Sequence, residues 1–292
     1  MSLVLSRRRF LAISAAAACG AGRAGAATWQ GQGLGAALSV RIEGLAPAAG
    51  PRLFGRIESE IARIGRTASL HADSELARLN RDGRLAGPGA GLRELLDLAG
   101  RVHDATGGAF DPTVQPLWLA TAQGGDMAAA AELVGWARVR IRPDALTIGR
   151  GQALTLNGIA QGWAADRVAD LLRAEGFGNV LIDMGEIAAL GRRGDGLPWR
   201  AGIAGPGSGM IATLDLSDRA LATSSPRGTL IGDGRPHILG PAGQGPLWST
   251  VAVSAPRAAV ADALSTAFCL MDRAAIDRAL AAFPGARVEA IV

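Results

Sequence analysis

The sequence contains no lysine and no tyrosine, and the first absence is the more restrictive. Without a lysine amine the chain forms no Schiff base and has no lysine nucleophile. Its positive charge rests on arginine, which stays protonated and is a poor general base. Cysteine is nearly as scarce. Of the two present, one is Cys19 in the leader-like head, so Cys269 has no partner for an internal disulfide. Cys269 lies in an apolar run and reads as a small core residue. Only three histidines, His71, His103 and His237, are available for proton transfer near neutral pH. There is no internal repeat, and the longest apolar run near the start, Ala12 to Ala18, is far short of the ~20 residues of a spanning helix.

That start has a recognisable layout. Ser6-Arg7-Arg8-Arg9-Phe10-Leu11 precedes the apolar run, giving a basic head, a short greasy centre and a small-residue exit. The paired arginines resemble a twin-arginine (Tat) export signal, which implies a periplasmic protein exported folded, with a cofactor able to be already bound. Ala24-Gly25-Ala26 offers a cleavage site, so residues 1–26 are expected to be a signal peptide and 27–292 the mature domain. Lipid attachment at Cys19 is the alternative, but Ala16-Ala17-Ala18-Cys19 is a poor lipobox. The leader holds Arg7, Arg8, Arg9 and Arg23 and no acid, so the whole-chain count of 30 basic and 26 acidic residues balances at net zero in the remainder. No basic stripe survives to suggest nucleic acid.

The chain is organised around Ala153 to Gly191. The pattern predicts a strand at Ala153–Leu156, a glycine loop at Asn157, Gly158 and Gly162, a helix carrying Asp166, Val168, Leu171 and Leu172, and a strand at Val180–Ile182. A loop entering a helix N-terminus suits phosphate; an ordinary tight βαβ connection gives the same pattern. Upstream, Leu38–Ile42 reads as a strand, and Leu53, Ile57, Ile61 and Ile64 as one helical face. Asp73 or Ser74 caps a short helix, and Leu92 to Val102 forms another amphipathic helix. Pro116-Leu117-Trp118 reads as a packed loop, and Val139–Ile141 with Leu146–Ile148 as a hairpin. Downstream come strands at Trp199–Ala204, Ile211–Leu216, Arg219–Thr223 and Ser249–Ser254, then an alanine-rich helix over Ala258–Met271. Asp111 before Pro112 is either a ligand-binding carboxylate or a structural Asx-turn. Asp262 and Thr266, four apart, place two oxygens on one helical face; they suit either an all-oxygen magnesium site or a cap and a back-bond.

Six segments taken together resemble the ApbE flavin transferase family, the FAD:protein FMN transferases. They are Asp73-Ser74-Glu75-Leu76 with Leu79-Asn80; Gly107-Gly108-Ala109-Phe110-Asp111-Pro112-Thr113; Gly158-Ile159-Ala160-Gln161-Gly162-Trp163-Ala164-Ala165-Asp166; Leu221-Ala222-Thr223-Ser224; His237-Ile238 with Pro241 and Gly243; and Ala261-Asp262-Ala263-Leu264-Ser265-Thr266-Ala267. They fall in the family's order and span nearly the whole mature chain.

The resemblance implies an α+β fold related to the T-fold, with mixed or antiparallel sheets and packed helices. It implies FAD as substrate, Mg²⁺ as cation, and transfer of FMN to a Ser or Thr hydroxyl of an acceptor protein with release of AMP. By position, Ala109, Phe110, Asp111, Gln161 and Leu239 would contact the flavin nucleotide. Asp262 and Thr266, with the Gly158 carbonyl, would hold the metal, and His237 would take the hydroxyl proton. The acceptor implies association with the inner membrane. The chain departs from the family pattern at Thr155, where an acid is usual, at Gln161, at Gly185-Glu186, at Ser225 and at Gly240. These departures motivate two alternatives: a flavin-binding scaffold without turnover, or a pyrophosphatase that releases free FMN and AMP.

Overall fold

The computed structural model describes residues 25–71, 73–205 and 209–292. The arginine-rich head and Cys19 lie outside the described residues.

The chain opens with an antiparallel hairpin, β1 (Ala27–Gly33) and β2 (Ala36–Ile42). Helix α1 (Gly50–Ala68) buries Leu53, Ile57 and Ile64 on the expected face. Helix α2 (Glu75–Asp82) is capped by Ser74, whose hydroxyl accepts from the Ala77 N–H, which decides between the two cap candidates. Strand β3 (Arg84–Ala86) leads to α3 (Ala90–Ala105), which buries Leu92, Leu95, Leu96, Ala99 and Val102. Two short helices follow, α4 (Gln115–Gln123) and α5 (Met127–Glu132). The hairpin β4 (Arg140–Ile141) and β5 (Ala145–Thr147) completes a small sheet with β3.

Helix α6 (Ala160–Ala174) and strands β6 (Val180–Asp183) and β7 (Ile187–Leu190) form the middle of the chain. A two-stranded ribbon, β8 (Trp199–Ala204) with β9 (Met210–Leu216), precedes β10 (Arg219–Ser224). The tiny hairpin β11 (Leu230–Ile231) and β12 (Arg235–Pro236) precedes β13 (Val251–Ala255). Helices α7 (Ala258–Phe268) and α8 (Arg273–Leu280) and the final strand β14 (Arg287–Ile291) end the chain.

Seven strands form the main sheet in the order β1-β2-β6-β7-β10-β13-β14. Every neighbouring pair is antiparallel. The architecture is therefore α+β, as expected. Because spatial order follows chain order, the sheet is a meander into which the other elements are inserted. Its central strands are covered on both faces. Ala220, Ala222, Val251 and Val253 point to the main core with α6 and α7, while Ile187, Ala189, Leu221 and Ala252 point to a second core under the β8–β9 ribbon, with Trp199, Ile203 and Leu216. This strict alternation is the two-residue period of a strand, hidden in the sequence because both faces are apolar.

Three expectations fail. Ala153–Leu156 is not a strand. Its backbone bonds go elsewhere: the Asn80 side chain accepts from Leu154 N–H and donates to its carbonyl, at 2.7 and 2.8 Å, and Thr155 N–H donates to the Pro112 carbonyl. The central stretch is thus no βαβ unit, and β6 pairs antiparallel with β2 and β7. Pro116-Leu117-Trp118 is not a loop but the first part of α4, with Pro116 in the opening turn, where proline is tolerated. The alanine-rich helix also stops at Phe268, short of Met271.

Helices α6 and α7 meet at their N-terminal turns. A Cβ on Gly162 would lie 2.8 Å from the Ala259 Cα and collide with the Ala258 carbonyl oxygen, both in backbone that cannot yield. Gly162→Ala is therefore expected to push the helices apart and destabilise the protein by about 2–4 kcal/mol, measured as a lowered denaturant midpoint. An unchanged midpoint would show that the crossing is not rigid.

Candidate active site

The contact between α6 and α7 is electrostatic as well as steric. Asp166, on α6, accepts from the Ala258 and Ala259 N–H groups at 2.8 and 3.0 Å. Asp262, on α7, accepts from the Gly162 N–H at 3.0 Å. Each carboxylate thus satisfies N–H groups in the first turn of the opposite helix, groups with no partner inside that helix. Asp262 is held with one oxygen on the glycine turn, and Thr266 lies on the same side of α7. A Cβ built on Gly158 would stand 3.1 Å from Thr266 Oγ1 and 3.3 Å from the Phe110 ring. The structure therefore brings Gly158, Phe110, Asp262 and Thr266 together.

Behind Thr266, the end of β10 contributes Ser224, whose hydroxyl is 3.3 Å from Thr266 Oγ1 and 2.8 Å from Ser265 Oγ. Buried Cys269, as small and apolar in its surroundings as expected, directs its thiol to the Ser265 and Ser224 carbonyls. Glu186 reaches the same strand end from the β6–β7 turn and accepts from the Thr223 N–H at 3.0 Å. Gln161, next to Gly162, turns to the other side and donates to the Leu34 carbonyl at 3.2 Å. There it lines a cleft of about 570 Å³ with Gln30, Gln32, Ser39, Asp183 and Gly185, within the usual range for a small-molecule site.

His237 stands in the loop after β12. Its Nδ1 is 2.8 Å from the Pro226 carbonyl and 3.2 Å from that of Thr229. Carbonyls only accept, so Nδ1 carries the proton and Nε2 is the unprotonated nitrogen of the neutral ring. Trp118 anchors the loop by donating to the His237 carbonyl at 3.0 Å. Pro226 follows Ser224 by two residues, so the histidine loop hangs from the strand end that touches Thr266. Leu239 sits half-buried in the same loop.

Asp111 takes the Asx-turn geometry. Its Oδ1 accepts from the Thr113 N–H and hydroxyl at 2.8 and 2.6 Å, and its Oδ2 from the Trp136 N–H at 3.3 Å. It shapes the loop that presents Ala109 and Phe110, and that loop is locked further by His103 Nδ1 on the Phe110 carbonyl at 3.0 Å. Among the described residues, no group of three or more His, Cys, Asp or Glu side chains is arranged to hold a metal ion. A site built from one carboxylate, one hydroxyl and a loop carbonyl is not a cluster of that kind.

An ion network ties the two helices beside the site. Arg257 bonds both Asp170 oxygens at 2.9 Å and lies 3.4 Å from Asp166. Burial pushes the Asp170 carboxyl up, but Arg257 outweighs it and holds the group below its ordinary value. Glu60 behaves alike: burial raises it, and Arg63 and Arg167 bring it below the ordinary value. For Asp166 burial wins, and the carboxyl is raised despite Arg257 and the two N–H donors.

A model of the ApbE family matches residues 34–292. An FAD:protein FMN transferase of Vibrio cholerae is 31% identical over 193 residues, covering 58% of this chain and 57% of that protein. One of Klebsiella pneumoniae is 27% identical over 270 residues, covering 82% and 77%. Among solved structures, the flavin transferase ApbE from Vibrio cholerae superposes with a TM-score of 0.76 at 25% identity, over 88% of this chain and 90% of the other. The apo form of the Pseudomonas stutzeri flavinyl transferase ApbE gives 0.77 at 27% identity, over 90% and 89%.

The acid limb of stability follows from the ion network. A carboxyl lowered by folding stabilises the protein above its unfolded pKa, and that contribution disappears as pH falls through the folded value; a raised one, as at Asp166, acts in the opposite sense. Thermal midpoints recorded from about pH 6 down to about pH 3 should fall on the acid side. Asp170→Asn should flatten that limb and cost under ~1 kcal/mol at neutral pH, since the group is half exposed and screened. An identical limb in the variant would exclude this pair as its cause.

Proposed function

The chain belongs to the ApbE family, and on that premise we propose that it is an FAD:protein FMN transferase, moving FMN from FAD to a Ser or Thr hydroxyl of an exported acceptor protein and releasing AMP. The observation that carries this is the meeting of Asp262, Thr266 and Gly158 at the first turn of α6. The oxygen donors there are hard and few, as Mg²⁺ prefers when phosphates and water complete its shell, so the residues fit that ion. Bound Mg²⁺ would supply neutralisation of charge growing on the phosphates.

The chain's own groups divide the remaining work. The first turn of α6 offers the positive end of its dipole to the diphosphate. Phe110 and Gly158 give close approach beside it, and the cleft at Gln161 has room for one ring system of the dinucleotide. His237, with Nδ1 donating to the Pro226 carbonyl, would as a neutral imidazole accept the hydroxyl proton at Nε2 as the acceptor oxygen bonds to the FMN phosphorus. The P–O bond to AMP breaks, and AMP leaves with the electron pair. Export by the twin-arginine route would place this chemistry in the periplasm, beside acceptors at the inner membrane.

Purified protein, FAD, Mg²⁺ and a flavin-acceptor domain should yield an acceptor heavier by one FMN in mass analysis. Chelation should stop the reaction and added Mg²⁺ restore it. Asp262→Ala should reduce transfer by ~10²-fold or more. His237→Ala should lower kcat by ~10²–10⁴-fold with FAD affinity little changed. An unshifted acceptor, where an authentic transferase modifies it, would refute the proposal; free FMN and AMP without acceptor would assign hydrolysis instead.

A further inference from the structure

The hydroxyls behind Thr266 form a short chain whose donor order depends on where the Ser265 proton goes. From it we infer that Ser224 and Ser265 are positioning residues that hold the Thr266 oxygen with its lone pairs toward the cation. This rests on the proposed role of Asp262 and Thr266 as cation ligands. Ser265 Oγ is 3.0 Å from the Asp262 carbonyl oxygen. We place the single Ser265 proton there, since a carbonyl only accepts. Ser224 must then be the donor in its 2.8 Å bond with Ser265. With that proton used, Ser224 can only accept in its 3.3 Å contact with Thr266. Thr266 donates, its proton points back toward the seam between β10 and α7, and its lone pairs face away from Ser224. Gly158 packs against this same hydroxyl.

Ser265 has a second effect. A helical threonine ordinarily turns its hydroxyl proton to the carbonyl four residues back. For Thr266 that carbonyl is Asp262's, which Ser265 already occupies. Ser265 thus closes the competing direction, and Ser224 supplies the one that remains. Both serines are buried, at 4% and 0% exposure, so bulk water does not reset the order. The Cys269 thiol, 3.3 Å from the Ser265 carbonyl, closes the seam from below. The metal pair is thereby prepared at both members: the Asp262 carboxylate by the Gly162 N–H, and the Thr266 hydroxyl by the serine chain.

The test is Mn²⁺ binding in the presence of FAD, followed by loss of the free-ion electron paramagnetic resonance signal. Ser224→Ala should weaken Mn²⁺ binding about five- to tenfold, the equivalent of one hydrogen bond. Ser265→Ala should weaken it similarly, because Thr266 can then turn to the Asp262 carbonyl. Ser224→Thr, which keeps the hydroxyl, should restore most of the affinity. The thermal midpoint, recorded alongside, separates orientation from general destabilisation, and Ser265→Ala carries the test if Ser224→Ala fails to fold. Unchanged affinity in both alanine variants, or a Ser224→Thr protein as weak as Ser224→Ala, would overturn the inference while the transferase proposal stands. A parent protein that binds no Mn²⁺ would overturn both.

Discussion

Two helix N-termini brought into contact would ordinarily repel, since each carries partial positive charge and unsatisfied N–H groups. Here the problem is solved by exchange. Asp166 leaves α6 to bond the first turn of α7, and Asp262 leaves α7 to bond the first turn of α6. Gly162 makes the approach possible, because no side chain stands between the backbones. Asp166 is wholly engaged, with both oxygens on N–H groups and Arg257 behind it. Asp262 has Oδ2 on the Gly162 N–H, which fixes the orientation of the whole group. The same geometry that stabilises the crossing therefore also orients the Asp262 carboxylate, the proposed cation ligand.

The meander explains how distant segments reach this crossing. The excursion between β2 and β6 carries α1 to α6, and the return delivers Glu186 and Ser224 to one end of the sheet, while α7 starts beyond the opposite end of β13 and runs back to set Thr266 beside Ser224. With both faces of the central strands covered, strand ends and helix starts are the places where polar groups can remain accessible. The short β11–β12 hairpin extends from β10 at the Ser224 end and brings His237, pinned by Trp118 from α4.

Helices with one apolar face were legible in the sequence, as were strands bounded by glycine turns. The segment Ala153–Leu156 was not, because its backbone is satisfied by an asparagine 74 residues earlier, and no local pattern signals such a partner. The small strands β3 and β14 and the first strand β1 escaped for a related reason: their period is short and their exposed faces mix small and polar residues. In the site, the spacing of Asp262 and Thr266 was readable because it lies within one helical turn. Asp166 as a cap for another helix was not, nor were Ser224 and Ser265 as a hydroxyl chain, since their partners come together only through the sheet. Asp111 sits in the expected loop, and its carboxylate accepts from the Thr113 backbone and hydroxyl.

The positions where the chain departs from the family pattern bear on whether the scaffold or only its chemistry has changed. At Gly240 the space a Cβ would fill is taken by the Gln244 side chain, whose Oε1 accepts from the Ala242 N–H at 2.9 Å, while Gly240 N–H bonds the Gln244 carbonyl. The Thr155 hydroxyl accepts from the Asn157 N–H, Gln161 bonds the Leu34 carbonyl, and Glu186 accepts from Thr223. Each substituted residue has a hydrogen-bonding role suited to the backbone around it. The substitutions thus leave the loops held and alter mainly the charge they present, removing an acid at 155 and placing a buried carboxylate at 186. A scaffold decaying after loss of function would be expected to show buried polar groups left without partners around its old site, because unsatisfied groups cost ~1–3 kcal/mol each. Around this crossing the departures themselves carry partners, and the buried nitrogen without one, Trp163 Nε1 beside Gly162, belongs to a segment that matches the family pattern.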